Sequence, residues 1–282
     1  MVYLKLFRMK HYIKNILIFF PLIFSLNLFD LLLFLWTMLG FISFSLLTSS
    51  VYVMNDLKDK EEDRKHPTKK HRPIACGKVS AGQAVAWAIG LFVMAVVSTV
   101  ALAVFRDNFF LLLFFLLYLI NNLLYGYRLK QLPIFDVLSI AVGFLFRVMY
   151  GAAMIGVEVS PFLYLTVLFL AFYLGYGKRK GEYINQHQRQ VLGKYQLSFL
   201  EKSMTSCLSL ILVFYVMWAL ELGDNYTILK VTVPLVMFIL MRYNLIIEGD
   251  SDGDPVEVIF KDKLLLWSGV SYVSVLLFLL YH

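Results

Sequence analysis

Charge, cysteine and chain-breaking residues are all scarce in this sequence. Of 282 residues only 16% are charged, 2 are cysteine and 7 are proline, and no Pro/Gly/Ser-rich linker or repeat of fixed period divides the chain. A soluble domain carries about a quarter charged residues, so the shortage excludes an ordinary soluble enzyme. The large apolar share likewise excludes a disordered chain. Cys76 and Cys207 stand far apart without CxxC or Cys/His spacing, which speaks against a disulfide framework or a zinc site. No cleavable signal peptide is expected, because the first apolar run lacks a small-residue cleavage site and more runs follow it.

What the chain has is apolar surface: 60% hydrophobic residues, 25 Phe and 17 Tyr, with a mean hydropathy of +0.73. The apolar residues recur in stretches of roughly 18–25, the length that crosses a bilayer as a helix. Candidate spans lie near 12–26, 29–55, 82–105, 108–125, 132–155, 160–177, 203–222, 226–246 and 263–281. This predicts an all-α, polytopic membrane protein of nine helices, with 1–282 as a single transmembrane domain. Ser25, Asn27 and Asp30 mark the turn that separates the first two spans. With the N-terminus cytoplasmic, 23 of the 26 lysines and arginines fall on one side, leaving Arg106 and Lys230 opposite and Arg147 inside a span. That asymmetry is what the positive-inside rule requires and predicts a multi-pass protein of the cell membrane.

Topology and anionic lipid account for most of the net +7 charge. They do not account for the acids set among the bases in the first cytoplasmic loop. There the chain reads Asn55-Asp56, then Asp59, Asp63 and Arg64, with His66-Pro67-Thr68-Lys69-Lys70-His71-Arg72-Pro73 close behind. If the second span continues past the bilayer as a helix, Asp56, Asp59 and Asp63 share an arc of about 60°. Crowded carboxylates favour a cation, and an all-oxygen set suits Mg2+, which binds one or two carboxylates together with substrate phosphates. Arg64, Lys69, Lys70 and Arg72 supply the donors that phosphate oxygens need, and Pro67 is expected to stop the helix.

The NDxxDxxxD element, with nine spans and a second charged loop two hairpins later, resembles the UbiA-type superfamily of intramembrane prenyltransferases. The resemblance implies a helical bundle around a central cavity open to the cytoplasmic side and to lipid, where Mg2+ binds a diphosphate. Aromatic prenyltransferases of this superfamily carry a second aspartate motif of DxxxD type after the sixth span. Here that stretch is Lys178-Arg179-Lys180-Gly181-Glu182, continuing to Arg189, Lys194 and Tyr195. Only Glu182 stands where an aspartate would, so the loop near 178–202 is expected to repel a second cation and attract phosphate.

Together with the extended NDxxDxxxDRxHPxKxxRPIAxG motif, this stretch resembles the polyprenyl-phosphate (decaprenyl-phosphate) phosphoribosyltransferase branch. Residues 8–15, 125–137, 143–147 and 255–263 add to the likeness. It implies that 5-phosphoribose moves from phosphoribosyl diphosphate to a polyprenyl phosphate with Mg2+, giving polyprenyl phosphoryl-5-phosphoribose, a precursor for a cell-envelope sugar donor, and diphosphate. Asn55, Asp56 and Asp59 or Asp63 would hold the metal. Lys178, Arg179 and Lys180 would meet the donor's phosphates, and Lys10 and Lys14 the lipid phosphate. A phosphate monoester is already ionised, so no general base is required.

Other polar residues admit two readings. Asp136 touches a ribose hydroxyl or Mg2+, or pairs with Lys130 or Arg128. Arg147 lies about 16 Å farther along the same helix, lining the cavity or satisfying carbonyls. Asn122 and Tyr125, with Asn121, are candidate substrate or helix–helix donors. Asp250, Asp252 and Asp254 open like an EF-hand, but Pro255 and Lys261 occupy its Gly and Glu positions, which leaves a flap. His66, His71 and His187 have no ligand spacing. An aromatic or quinone prenyltransferase is the same-fold alternative, and a transporter of phosphorylated solutes is a more distant one. Membrane lipid is the expected partner, with no nucleic acid.

Overall fold

A computed structural model describes residues 2–65, 69–185, 189–249 and 253–281, with the backbone alone at 224–227. The expectations for His66, Pro67, Thr68, His187, Asp250 and Asp252 lie outside the described residues. The described chain is helical throughout: α1 (Val2–Leu6), a 3-10 segment (Met9–Phe19), α2 (Phe20–Phe24), α3 (Leu31–Lys58) and α4 (Lys60–Lys65). A 3-10 turn (Lys69–His71) leads to α5 (Ala81–Phe105), α6 (Phe110–Tyr127), α7 (Phe135–Ile155) and α8 (Pro161–Ile184). Then come α9 (Leu197–Glu221), a 3-10 segment (Asp224–Thr232), α10 (Val233–Ile247), α11 (Pro255–Lys261) and α12 (Lys263–Tyr281).

Side-chain oxygens satisfy the open amides at several helix starts. Asp30 accepts from the Leu32 and Leu33 amides at 2.9 and 3.0 Å to begin α3. Ser80 and Gln83 form a reciprocal capping box on α5, and Ser160 with Pro161 starts α8. Outward faces carry exposed Leu31, Phe105, Phe110 and Trp267, side chains that lipid accepts and water does not.

Eight helices among the described residues are long and apolar enough to cross a membrane. They match eight of the nine expected spans. The remaining stretch, 12–26, is not a continuous α-helix: Pro21, which lacks an amide donor, sits in the first turn of the short α2, and residues 9–19 are wound as 3-10 helix. The looser rise of that winding carries residues 9–24 over about 30 Å, where an α-helix of equal length would reach only about 24 Å. Later in the chain the expected second loop is also shorter than the sequence implied. α8 continues to Ile184, so Lys178–Glu182 ride on its last turns.

The chain forms two compact units, 1–126 with 146–158, and 127–145 with 159–282. In the first, α3 and α5 meet along a seam of small and hydroxyl residues, the usual means of close approach in lipid. Ser43 donates to the Ala95 carbonyl at 3.2 Å and Ser50 to that of Ala88 at 2.8 Å. The 3-10 segment is tied in by buried Asn15, which donates to Ser45 at 3.0 Å and accepts from Arg147 Nε at 2.8 Å. A second knot of Leu6, Val53, Ile74, Val79, Ala84 and Ala88, with Leu57 packed against it, draws together α1, α3, α5 and the loop before α5. In the second unit α8 packs on α9 and α10 through Tyr173, Tyr176, Met204, Ile211, Leu240 and Tyr243.

The backbone of the 3-10 segment lies directly on Gly151 of α7: a Cβ there would sit 2.0 Å from the Ile18 carbonyl oxygen. Neither partner is a flexible side chain that can turn aside. Gly151→Ala is therefore expected to cost about 1–3 kcal/mol or more. Gly90→Ala in α5, where a Cβ meets nothing within 4 Å, should be neutral or stabilising by up to about 1 kcal/mol. Thermal unfolding of both variants in detergent checks the contrast, and equal behaviour would refute the close approach.

Candidate active site

The first motif is built where α3 passes almost unbroken into α4. The Asp59 amide donates to the Asn55 carbonyl at 2.9 Å and the Asp63 amide to the Asp59 carbonyl at 2.8 Å, so the helical path continues through the joint. Asp56 and Asp63 consequently fall on one inward face, and both are buried. Arg72 bridges them, with one guanidinium nitrogen 3.0 Å from Asp56 Oδ1 and 2.7 Å from Asp63 Oδ2. Arg8, which follows α1 in a left-handed backbone conformation at φ 52°, pairs with the same Asp56 oxygen. Its guanidinium also lies 5.0 Å from the centre of the Tyr52 ring.

Asp59 occupies the joint itself and is half-buried. No group of three His, Cys, Asp or Glu side chains among the described residues is close enough to form a ready-made metal cage. What the helix brings together is a carboxylate pair with two arginines. Asn55 lies beside Gly126 of α6, where an added Cβ would approach its Oδ1 to 3.1 Å, and Lys58 donates to the Gly126 carbonyl at 3.0 Å. Arg64 turns to the loop behind it, donating to the Ala75 carbonyl at 3.2 Å and pairing with Glu61 at 2.9 Å. Lys10, Lys69 and Lys70 are exposed, and Lys14 and Tyr125 half-buried. Asn122 donates to the Tyr118 carbonyl one turn back at 2.8 Å.

Arg147 is buried and lies deeper. It donates to Asn15 at 2.8 Å and to the Tyr118 hydroxyl at 2.9 Å, and its guanidinium lies 4.8 Å from the Tyr118 ring centre. Asn15 in turn touches Ser45 and Thr48, which stand 8 to 11 residues before Asp56 on α3, or about 12–16 Å along the helix. Arg147 thus pins the 3-10 segment at a depth away from the carboxylate pair.

The second unit holds a separate charged cluster. Asp136 and Arg179 are 0% and 1% exposed, joined Nε to Oδ2 at 2.6 Å. Arg179 also holds Glu182 at 2.5 Å, and Arg189 reaches Glu182 at 3.2 Å. Lys178 pairs with Asp254 at 2.7 Å, and Lys180 with Glu248 at 3.1 Å and Glu201 at 3.5 Å. Asp136 therefore finds its cation in Arg179, where the sequence pointed to Lys130 or Arg128; Lys130 is half-buried. The stretch that reads as nearly all basic is matched by acids from other parts of the chain, Asp136 before it and Glu201, Glu248 and Asp254 after it.

The hydroxyl of Tyr195 joins this cluster to an unusual turn. It donates to Asp136 Oδ1 at 2.7 Å and accepts from the Ile134 amide at 2.6 Å. Ile134 has φ 69°, a left-handed conformation that a β-branched residue resists and that neighbouring contacts must impose. Burial first, and then the neighbouring Asp136, push the Tyr195 hydroxyl pKa up, so it stays protonated and able to donate.

Sequence reasoning did not assign Arg8, Arg189, Tyr195, Glu248 or Asp254 to these clusters. Arg8 heads the RxKxxxKN stretch, Arg189 and Tyr195 lie in the extension of the second motif, and Asp254 closes the false EF-hand. Glu248 lay in no noted segment, and for Arg8, Tyr195, Glu248 and Asp254 the partner is distant in sequence.

Removing one member of a buried pair leaves an uncompensated charge. Asp136→Leu is expected to destabilise the protein by about 3–5 kcal/mol. Tyr195→Phe, which only leaves an amide and one carboxylate oxygen short of a partner, should cost about 1–3 kcal/mol. Chemical or thermal unfolding in detergent ranks the two, and the reverse order would contradict the Asp136–Arg179 pair as the centre of the cluster.

The decaprenyl-phosphate phosphoribosyltransferase of Corynebacterium glutamicum is 26% identical over 290 residues, covering 99% of this chain and 86% of that protein. The enzyme of the same name from Mycolicibacterium smegmatis is 31% identical over 242 residues, covering 80% and 74%. Among solved structures, a UbiA homolog from Archaeoglobus fulgidus bound to GPP and Mg2+ superposes with a TM-score of 0.75 at 20% identity, covering 100% of this chain and 98% of that one. The UbiA prenyltransferase family matches residues 17–269, a range that includes Asp56, Asp63, Arg72 and the whole second cluster but not Arg8, and the chain belongs to that family.

Proposed function

We propose that this protein transfers 5-phosphoribose from phosphoribosyl diphosphate to a polyprenyl phosphate at the cytoplasmic face of the cell membrane. The products are polyprenyl phosphoryl-5-phosphoribose, a precursor for a cell-envelope sugar donor, and diphosphate. The observation that carries the reading is the run of three bases at the end of α8, each now held by carboxylates that a ligand rich in phosphate could replace. Lys178, Arg179 and Lys180 stand where the aromatic prenyltransferases of the family carry a second aspartate motif, which suits a donor with more phosphate than a prenyl diphosphate. Likeness to decaprenyl-phosphate phosphoribosyltransferases over 99% of the chain supports the same substrates.

The first motif fits a divalent cation by its donor chemistry. Asp56 and Asp63 are hard oxygen ligands, buried and in need of positive charge, and two carboxylates with an adjacent amide suit Mg2+ when phosphates complete the shell. Asn55, Asp56 and Asp63 would hold it, with Asp59 at the joint. When bound, Mg2+ supplies Lewis-acid stabilisation and a template for the leaving diphosphate. Arg72, Lys69 and Lys70 flank that position and bind diphosphate oxygens. Loss of diphosphate leaves positive charge on the ribose, and an oxygen of the acceptor phosphate attacks C1. Because this oxygen is already anionic, the protein needs to position and neutralise rather than remove a proton.

Within the second cluster the roles divide by exposure. Arg179 is enclosed and held by two carboxylates, so it orients its neighbours. Lys178 and Arg189, with side chains 32% and 33% exposed, are the cations of this cluster available to phosphate. Lys10 and Lys14 hold the lipid phosphate.

The test is transfer of label from radiolabelled phosphoribosyl diphosphate into the lipid phase by purified protein with polyprenyl phosphate and Mg2+. Asp56→Ala is expected to lower the rate at least about a hundredfold, given that even supporting residues of metal sites cost 10–100-fold. Transfer that survives this substitution would overturn the reading. Label entering an aromatic acceptor from radiolabelled prenyl diphosphate would favour the aromatic prenyltransferase alternative.

A further inference from the structure

The carboxylates of the first motif are more deeply covered than the arginines that cover them. The side chains of Asp56 and Asp63 are 3% and 4% exposed, whereas those of Arg8 and Arg72 are 22% and 27% exposed. A cation approaching from water meets the guanidinium groups first. We propose that Arg8 and Arg72 are resident counterions that close the carboxylate pair to a bare divalent cation and yield it only when a diphosphate arrives to take up their charge. The proposal rests on the metal-diphosphate reading of this motif and assigns the arginines a role in the order of binding.

The argument begins with charge balance. Two carboxylates face two guanidiniums, so the cluster is neutral before any ligand enters. A bare divalent cation would need the Asp56 and Asp63 oxygens that Arg8 and Arg72 already contact. It would face their repulsion at close range and in poor screening, or would have to drive both arginines into water without partners. A cation carried by a diphosphate brings its own anion. Each carboxylate–arginine pair is then exchanged for a carboxylate–metal and an arginine–phosphate contact, and the positive charge of the metal is offset by the diphosphate that carries it. The planar guanidinium fork suits phosphate oxygens as well as it suits carboxylates.

The backbone divides the parts in the way such an exchange requires. Asp56 and Asp63 belong to α3 and α4, whose helical path fixes them. Arg8 and Arg72 come from connecting segments, one in a left-handed link after α1 and the other just past the Lys69–His71 turn. Arg8 also has the Tyr52 ring at 5.0 Å, a surface on which its cation stays favourably placed as it leaves Asp56.

Equilibrium dialysis of the full chain in detergent against Mn2+, with and without saturating inorganic diphosphate, tests this without any turnover. Protein-retained Mn2+ is expected to bind about tenfold or more tightly when diphosphate is present, a coupling of ordinary size. Arg72→Met should bind Mn2+ about tenfold more tightly than the wild type when diphosphate is absent, and should lose most of the diphosphate enhancement. If Arg72→Met fails to fold by size exclusion, Arg8→Met carries the same expectation at smaller amplitude, because Arg8 covers Asp56 alone. Equal Mn2+ retention by the wild type with and without diphosphate would overturn the proposal, as would folded variants that bind no more tightly than the wild type. Absence of phosphoribosyl transfer with this Mn2+ pattern intact would overturn the reaction proposed above and leave the counterion role standing.

Discussion

Neutralising a carboxylate where water is scarce is the constraint that shapes both charged clusters of this protein. A buried ion costs several kcal/mol unless its partner and hydrogen bonds are well placed, and in a chain with 16% charged residues such partners are few. Asp56, Asp63 and Asp136 are all buried, and each has an arginine. Around these pairs the surrounding elements are recruited: the link after α1 delivers Arg8, the turn before α5 delivers Arg72, and the start of α9 is positioned by Tyr195. The helices supply a scaffold that satisfies its own backbone in lipid, and the charges decide what lies at its ends.

The two clusters use the same chemistry and both bury their acids, but they differ in the exposure of the arginine that pairs with them. In the first, the acids are sealed and their cations lie toward water, an arrangement that a competing anion can open. In the second, Arg179 is itself enclosed, 1% exposed, between Asp136 and Glu182. Releasing it would break contacts to two carboxylates at once, and the Tyr195 hydroxyl adds a further hold on Asp136. Strain at Ile134 fits this picture, since an unfavourable φ persists only where neighbouring contacts over-determine it. A site built to exchange partners and a site built to keep them are therefore distinguished by whether the cation is buried along with its carboxylate, more than by the residue types present.

The sequence made the fold class legible because its signals are local. Apolar runs of bilayer length located eight helices to within about three residues, except that α8 runs on to Ile184 and α9 begins at Leu197, where charged residues hide the helix, and caps such as Ser80 with Gln83 and Ser160 with Pro161 can be read directly. Where the reading failed, the cause was an interaction from far along the chain. Residues 9–19 are wound as 3-10 helix while tied to Ser45, Thr48, Arg147 and the Gly151 backbone, contacts that hydropathy does not contain. The i, i+3, i+7 spacing of Asp56, Asp59 and Asp63 gave the right helical continuation. It could not foresee that Arg72 would bridge only the outer two, or that Arg8, 48 residues from Asp56, would join them. For Lys178 and Lys180 the missing information was again remote, in Asp254 and Glu248, which lie 76 and 68 residues later.

Remote acids also change what net charge means for function. Counting along the chain made the end of α8 a basic patch, and a basic patch alone would bind any anion. Pairing converts it into a graded set. Arg179 is committed to buried partners, Lys180 is enclosed with Glu248 and Glu201 partly exposed beside it, and Lys178 meets Asp254 near water. Affinity for phosphate then depends on how readily each lysine or arginine exchanges its present carboxylate. This favours a ligand with several phosphate groups, which can replace several carboxylates together, over a small anion that replaces one. Selectivity of this kind needs no dedicated pocket for each phosphate, because it follows from acids positioned to be displaced only in concert.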